Sequence, residues 1–119
     1  MVEVSEINKL IQEFERNRVQ LSSVEAQSQS LSLQSNVLEE AIKQLKESKE
    51  EKVYKSVGPV LFLSEAKKVQ KELEDQKETV DLRLKTLKKQ EEVLLDKLNK
   101  LKAEIEALQK QPKEEKEEK

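Results

Sequence analysis

The chain has 119 residues and a formal net charge of -2, with 40% charged and 34% apolar residues, one glycine, no cysteine and no histidine. Aromatic residues make up only 3% (Phe14, Tyr54 and Phe62), so the composition fits long solvated helices better than a compact core. It excludes disulfide and thiolate chemistry, removes the commonest general base and metal ligand, denies a phosphate-cradling loop its glycines, and lacks the clustered cations of a nucleic-acid footprint.

The first element is a helix over 5–47, a stretch without Gly or Pro. Apolar residues recur there at heptad spacing in two interleaved series. One runs Ile7, Phe14, Leu21, Ser28, Ser35, Ile42, and the other Leu10, Asn17, Val24, Leu31, Leu38, Leu45. Only Ser28, Ser35 and Asn17 interrupt them, which is a seam for packing on a second helix. Ser5 is the candidate N-cap, although Asn8 stands where a capping box would place Glu. The centre of this helix departs from the rest of the chain. No Lys or Arg occurs between Val19 and Ile42, and Ser22, Ser23, Ser28, Ser30, Ser32 and Ser35 crowd the segment 20–35 together with glutamines. Two readings of it stay open: a weakly packed stretch of seam, or a compliant arm.

A hairpin is predicted over 53–63, VYKSVGPVLFL, where β-branched and aromatic residues flank Gly58-Pro59. Pro59 lacks an N–H for a ladder hydrogen bond and so belongs at the turn. Val60, Leu61, Phe62 and Leu63 are apolar without alternation, so both faces of that strand call for burial, which an isolated hairpin does not provide. A second helix follows over 65–110, capped by Ser64. Its seam is Leu73, Val80, Leu87, Leu94, Leu101, Leu108 interleaved with Lys77, Leu84, Glu91, Leu98, Ile105. The stretch 112–119, PKEEKEEK, has no apolar residue and is expected to be a disordered charged tail after a single domain over 1–111.

The seams lie at nearly equal distances from Gly58, so the predicted fold class is mostly α: a long antiparallel two-helix coiled coil joined by one β-hairpin. A plain helix–helix connector needs only a few polar residues. An apolar hairpin leaves edges and faces that other chains must cover, which implies an obligate oligomer joined through its strands. Carboxylates alternate with Lys at helical spacing and read as solvated faces; acid–base work would need a dry cleft that two bare helices lack. No enzyme activity, cofactor or metal site is expected. No apolar run approaches the roughly 18 residues of a membrane span. The first residues carry Glu3 and Glu6 rather than a basic leader, so a signal peptide is not expected and a cytoplasmic location is.

The hairpin VYKSVGPVLF, the stretch ETVDLRLKTLKKQEE over 78–92 and the flanking heptads closely resemble the beta class of the prefoldin family, its archaeal type in particular. The resemblance spans about 5–110, and one hairpin rather than two favours the beta over the alpha class. It implies a hexamer of two alpha-type and four beta-type subunits, with hairpins joined in an inter-subunit β-barrel. It further implies an ATP-independent chaperone that holds unfolded proteins at its coiled-coil tips and passes them to a group II chaperonin. On this chain the assembly hairpin would be Val53, Tyr54, Val57, Gly58, Pro59, Val60, Leu61, Phe62 and Leu63. Client would be held by Val2, Val4, Ile7, Leu10, Ile11, Phe14, Leu98, Leu101, Ile105 and Leu108. Among these, Val4, Ile11 and Phe14 exceed what a two-helix seam covers. Expected partners are alpha-type subunits, further beta copies, unfolded clients and the chaperonin, with neither nucleic acid nor membrane. The competing reading is a structural or adaptor coiled coil in a multi-subunit scaffold, which accounts for the helices but not for the hairpin.

Overall fold

The computed structural model describes the backbone of residues 4–117 and the side chains of 4–110. Elements follow in the order α1 (Val4–Glu47), β1 (Lys52–Val57), β2 (Val60–Glu65) and α2 (Ala66–Glu117). The chain forms two compact units. Unit 1 joins α1 up to Gln27 with α2 from Leu87 onward, and unit 2 comprises Ser28–Thr86 with the hairpin.

Both predicted seams are the buried or half-buried positions of their helices, and the neighbouring helical positions are mostly exposed. In unit 1 the buried residues are Asn17 and Val24 on α1 and Leu87, Leu94, Leu98 and Leu101 on α2. Glu6, Lys9 and Leu10 lie beside Glu104, Ala107 and Leu108, so the two helices run antiparallel. In unit 2 the buried residues are Ser28, Leu31, Ser35 and Ile42. There Leu33 to Leu38 face Asp75 to Val80, and Leu45 and Lys46 face Ala66 and Gln70, again antiparallel. No described side chain is completely enclosed. Two helices offer each other one narrow stripe and no third wall.

The helix ends differ from the sequence expectation. Val4, the first described residue, is already helical, which puts Ser5 inside α1 rather than at its cap. Ser64 is a strand residue paired with Val53, not the cap of α2. The start of α2 is fastened by the backbone: Ala66 N–H donates to the Glu51 carbonyl at 2.8 Å. α2 also continues to Glu117, past the expected end at Lys110 and through most of the segment read as a tail. Lys and Glu are strong helix formers, and Pro112 is the single residue there that opposes a helix.

Candidate assembly and binding surfaces

β1 and β2 pair antiparallel from Lys52↔Glu65 to Val57↔Val60, leaving Gly58-Pro59 as a two-residue loop. Gly58 takes φ +59° with open space around it, so glycine is required by the backbone angle and not by crowding. A positive φ at the first loop position followed by proline's fixed negative φ suits a tight hairpin turn of the II′ kind. The Ser56 hydroxyl adds a 3.3 Å hydrogen bond to the Gly58 carbonyl.

Cross-strand partners share a face, which sorts the hairpin residues. Val53, Lys55, Val57, Val60, Phe62 and Ser64 form one face; Tyr54, Ser56, Leu61 and Leu63 lie on the other. The first face is tied to α2 at its base. Val53 and Ser64 are half-buried, and the Lys55 ammonium donates to a Glu72 carboxylate oxygen at 2.7 Å. That hydrogen bond, more than proximity of charge alone, holds the Glu72 carboxyl below the usual carboxylate range. Away from this tether the strands are open on both faces: Tyr54 is 70% exposed, Leu61 63%, Leu63 58% and Phe62 52%. Val57 and Val60 at the turn are exposed as well.

The second set of candidate residues lies in unit 1, on 4–14 of α1 and 98–108 of α2. Val4 and Ile11 are exposed, off the seam. Ile7, Leu10, Phe14, Ile105 and Leu108 are half-buried, so Phe14 belongs to the seam rather than to its outer edge. Leu98 and Leu101 are buried between the helices. Val2 lies outside the described residues. A shallow groove of about 430 Å³ opens here between Leu10 and Leu108, rimmed by Glu6, Lys9 and Glu104.

A polar cluster crosses the helix pair of unit 2. The Ser35 hydroxyl donates to Asp81 Oδ1 at 2.6 Å, and Lys77 Nζ donates to Asp81 Oδ2 at 2.8 Å. The Lys77 hydrogen bond first, then the Ser35 one, holds the Asp81 carboxyl below its ordinary range, and Lys77 is raised in return. Ser28, one heptad earlier, buries a hydroxyl with no hydrogen-bond partner among the described residues. Sequence reasoning placed Ser28, Ser35 and Lys77 on the seam but not Asp81, which sits beside it. It also passed over Val19, Leu33, Val37, Leu82, Val93 and Leu95, all exposed large apolar residues off the seam. Their heptad positions carry that signal. Among the described residues there is no cluster of acidic side chains suited to a metal ion, and no helix long and apolar enough to cross a membrane.

Comparison with known proteins is consistent across sequence and structure. A family model for prefoldin subunits matches residues 8–112. The prefoldin subunit beta of Pyrobaculum calidifontis is 32% identical over 100 residues, spanning 83% of this chain and 80% of its own. That of Archaeoglobus fulgidus is 33% identical over 90 residues, spanning 75% of this chain and 78% of its own. Among solved structures, the prefoldin beta subunit from Thermococcus strain KS-1 matches with a TM-score of 0.82 at 28% identity, covering 87% of this chain and 91% of that one.

Proposed function

The chain belongs to the prefoldin family, in its beta class, and from that premise we propose that its hairpin builds the hexamer while the helix ends in unit 1 hold unfolded protein. Prefoldins are chaperones and not enzymes, so the chain is a chaperone subunit that assembles with other prefoldin subunits. The finer reading is a complex of two alpha-type and four beta-type subunits, with the hairpins closed into a shared β-barrel. It acts in the cytoplasm and passes client to a group II chaperonin without ATP. Residues 1–111 form the chaperone domain in this reading, with 112–119 as a charged extension.

The observation that carries it is the hairpin. Tyr54, Leu61, Phe62 and Leu63 each keep half or more of their surface in water. Burying side chains of that kind is worth roughly 1.5–3 kcal/mol apiece. A two-stranded hairpin has no means of covering them by itself, and strands of other subunits do. A scaffold or adaptor role gives no reason for such a hairpin.

Client contact rests on Val4 and Ile11, exposed beside the half-buried Ile7, Leu10, Phe14, Ile105 and Leu108. Leu98 and Leu101 join only where the helices part, since fraying at helix ends costs little. One arm binds weakly, and several arms on one client bind by avidity, which gives grip without sequence specificity and release without fuel. Truncation of residues 1–10 or 101–119 tests this. Suppression of client aggregation is expected to weaken while the hexamer persists, and unchanged holding by both truncations would remove the client assignment.

A further inference from the structure

The helix pair of unit 2 has two unlike flanks. One is a charged groove that includes Glu39, Lys77, Asp81 and Lys85. The other is an open groove of about 710 Å³ whose apolar part is Leu33, Val37 and Leu38 of α1 with Val80 of α2; Gln34, Gln76 and Thr79 add uncharged polar groups, and Asp75 is the sole charged residue among the described residues that line it. Leu38 and Val80 are half-buried seam residues. Leu33 and Val37 stand one turn apart, off the seam, 65% and 61% exposed. Long Lys and Arg side chains ordinarily lay their stems over such apolar surface. α1 has none to offer, because no Lys or Arg occurs between Val19 and Ile42. The serine- and glutamine-rich centre of α1 thus leaves the groove uncovered.

The charged residue that lines it is acidic and stands on α2. Asp75 makes no ion pair among the described residues, not even with Lys71 one turn away. Glu40 continues the Leu33–Val37 row by one turn, and among the described residues its carboxylate receives only a 3.3 Å hydrogen bond from Gln44. An occupant therefore meets apolar side chains in the middle and carboxylates without cationic partners at the rim.

We propose that this groove is a second grip for non-native polypeptide, taking a short apolar segment flanked by lysine or arginine. The inference rests on the chaperone reading above and adds to it a site apart from residues 4–14 and 98–108, with a charge preference. Apolar segments flanked by acidic residues are disfavoured here, because Asp75 and Glu40 repel them. Such a site is weak alone and counts through repetition among subunits.

The test uses the assembled full-length protein and two short fluorescein-labelled peptides with the same leucine–valine–serine core, one ending in lysines and the other in glutamates. Anisotropy titration is expected to show tighter binding of the lysine peptide. Leu33→Ser with Val37→Ser should weaken it by roughly tenfold, since two apolar side chains are lost from the contact. Asp75→Lys should reverse the preference between the peptides. All three positions are exposed, and helical circular dichroism checks that the variants stay folded. Unaltered peptide binding in the double variant, or an unaltered preference in Asp75→Lys, overturns the groove. If deletion of residues 1–10 abolishes peptide binding while the double variant retains it, the groove is overturned and the chaperone reading stands. A protein that binds neither peptide overturns the groove as well, and aggregation suppression in the same preparation then shows whether the chaperone reading fails with it.

Discussion

Units 1 and 2 carry the same heptad pattern and fill it differently. In unit 1 the buried seam is Val24, Leu87, Leu94, Leu98 and Leu101, with one polar member, Asn17, whose side-chain amide donates to the Glu13 carbonyl at 2.8 Å. In unit 2 two of the four buried residues are serines, and Lys77 occupies a seam position on α2. Heptad position decides which residues are buried; the residue placed there decides what burial contributes. Unit 1 thus fills most of its buried seam with large apolar side chains, while Val4, Ile11, Val19, Val93 and Leu95 stay exposed. Unit 2 keeps many of its own at the surface, on the hairpin and along the Leu33–Val37 row, where they are available to other chains.

Substitution of one seam residue per unit exposes this difference most strongly. Leu94→Ala should destabilise the protein by about 2–4 kcal/mol, through lost transfer energy and a partly collapsed cavity. The same urea titration should find Ser28→Ala neutral or stabilising by up to about 1 kcal/mol, because the variant removes a buried hydroxyl that has no partner among the described residues. Equal losses in both variants would mean that the two seams contribute alike, against the contrast drawn here.

A smaller effect is expected from the polar cluster. The pKa of Asp81 is lower in the folded protein than in the unfolded chain, so its contribution is present above the ordinary aspartate value and is lost as pH falls through the depressed one. Thermal melts should therefore lose stability on acidification below about pH 4 more steeply in the wild type than in Asp81→Asn. Asp81 is partly exposed, so the difference is modest; parallel curves would show that the cluster contributes nothing to the pairing. Lys55→Ala should matter least for stability, since its pair with Glu72 lies in solvent.

Much of the fold was legible in the sequence because a two-helix seam is a local repeat. Ile7 through Leu45 and Leu73 through Leu108 mark the covered stripes directly, and Val57-Gly58-Pro59-Val60 marks the turn. The helix ends were less legible. Ser5 and Ser64 have the chemistry of caps, but Val4 extends one helix, and β2 with the Glu51 carbonyl occupies the start of the other. The pairs Lys55–Glu72 and Ser35–Asp81 depend on how strand and helices align, which no local pattern encodes. Leu33 and Val37 were overlooked for another reason: a search for seams collects apolar residues that fit and sets aside those that do not. The hairpin was legible from its turn and β-branched residues, and its excess of apolar residues over what its own chain covers is the ground for proposing that it joins subunits.

That excess is the central claim, and light scattering measures it most directly. Mixed with an alpha-type prefoldin subunit, the wild-type chain should elute as a complex of about six chain masses, and Phe62→Asp or Leu61→Asp should leave it unassembled, since an ionised carboxylate does not enter an apolar strand interface. A wild-type chain that remains a stable, folded monomer beside every alpha-type partner, or an aspartate variant that assembles as fully as the wild type, would contradict the account.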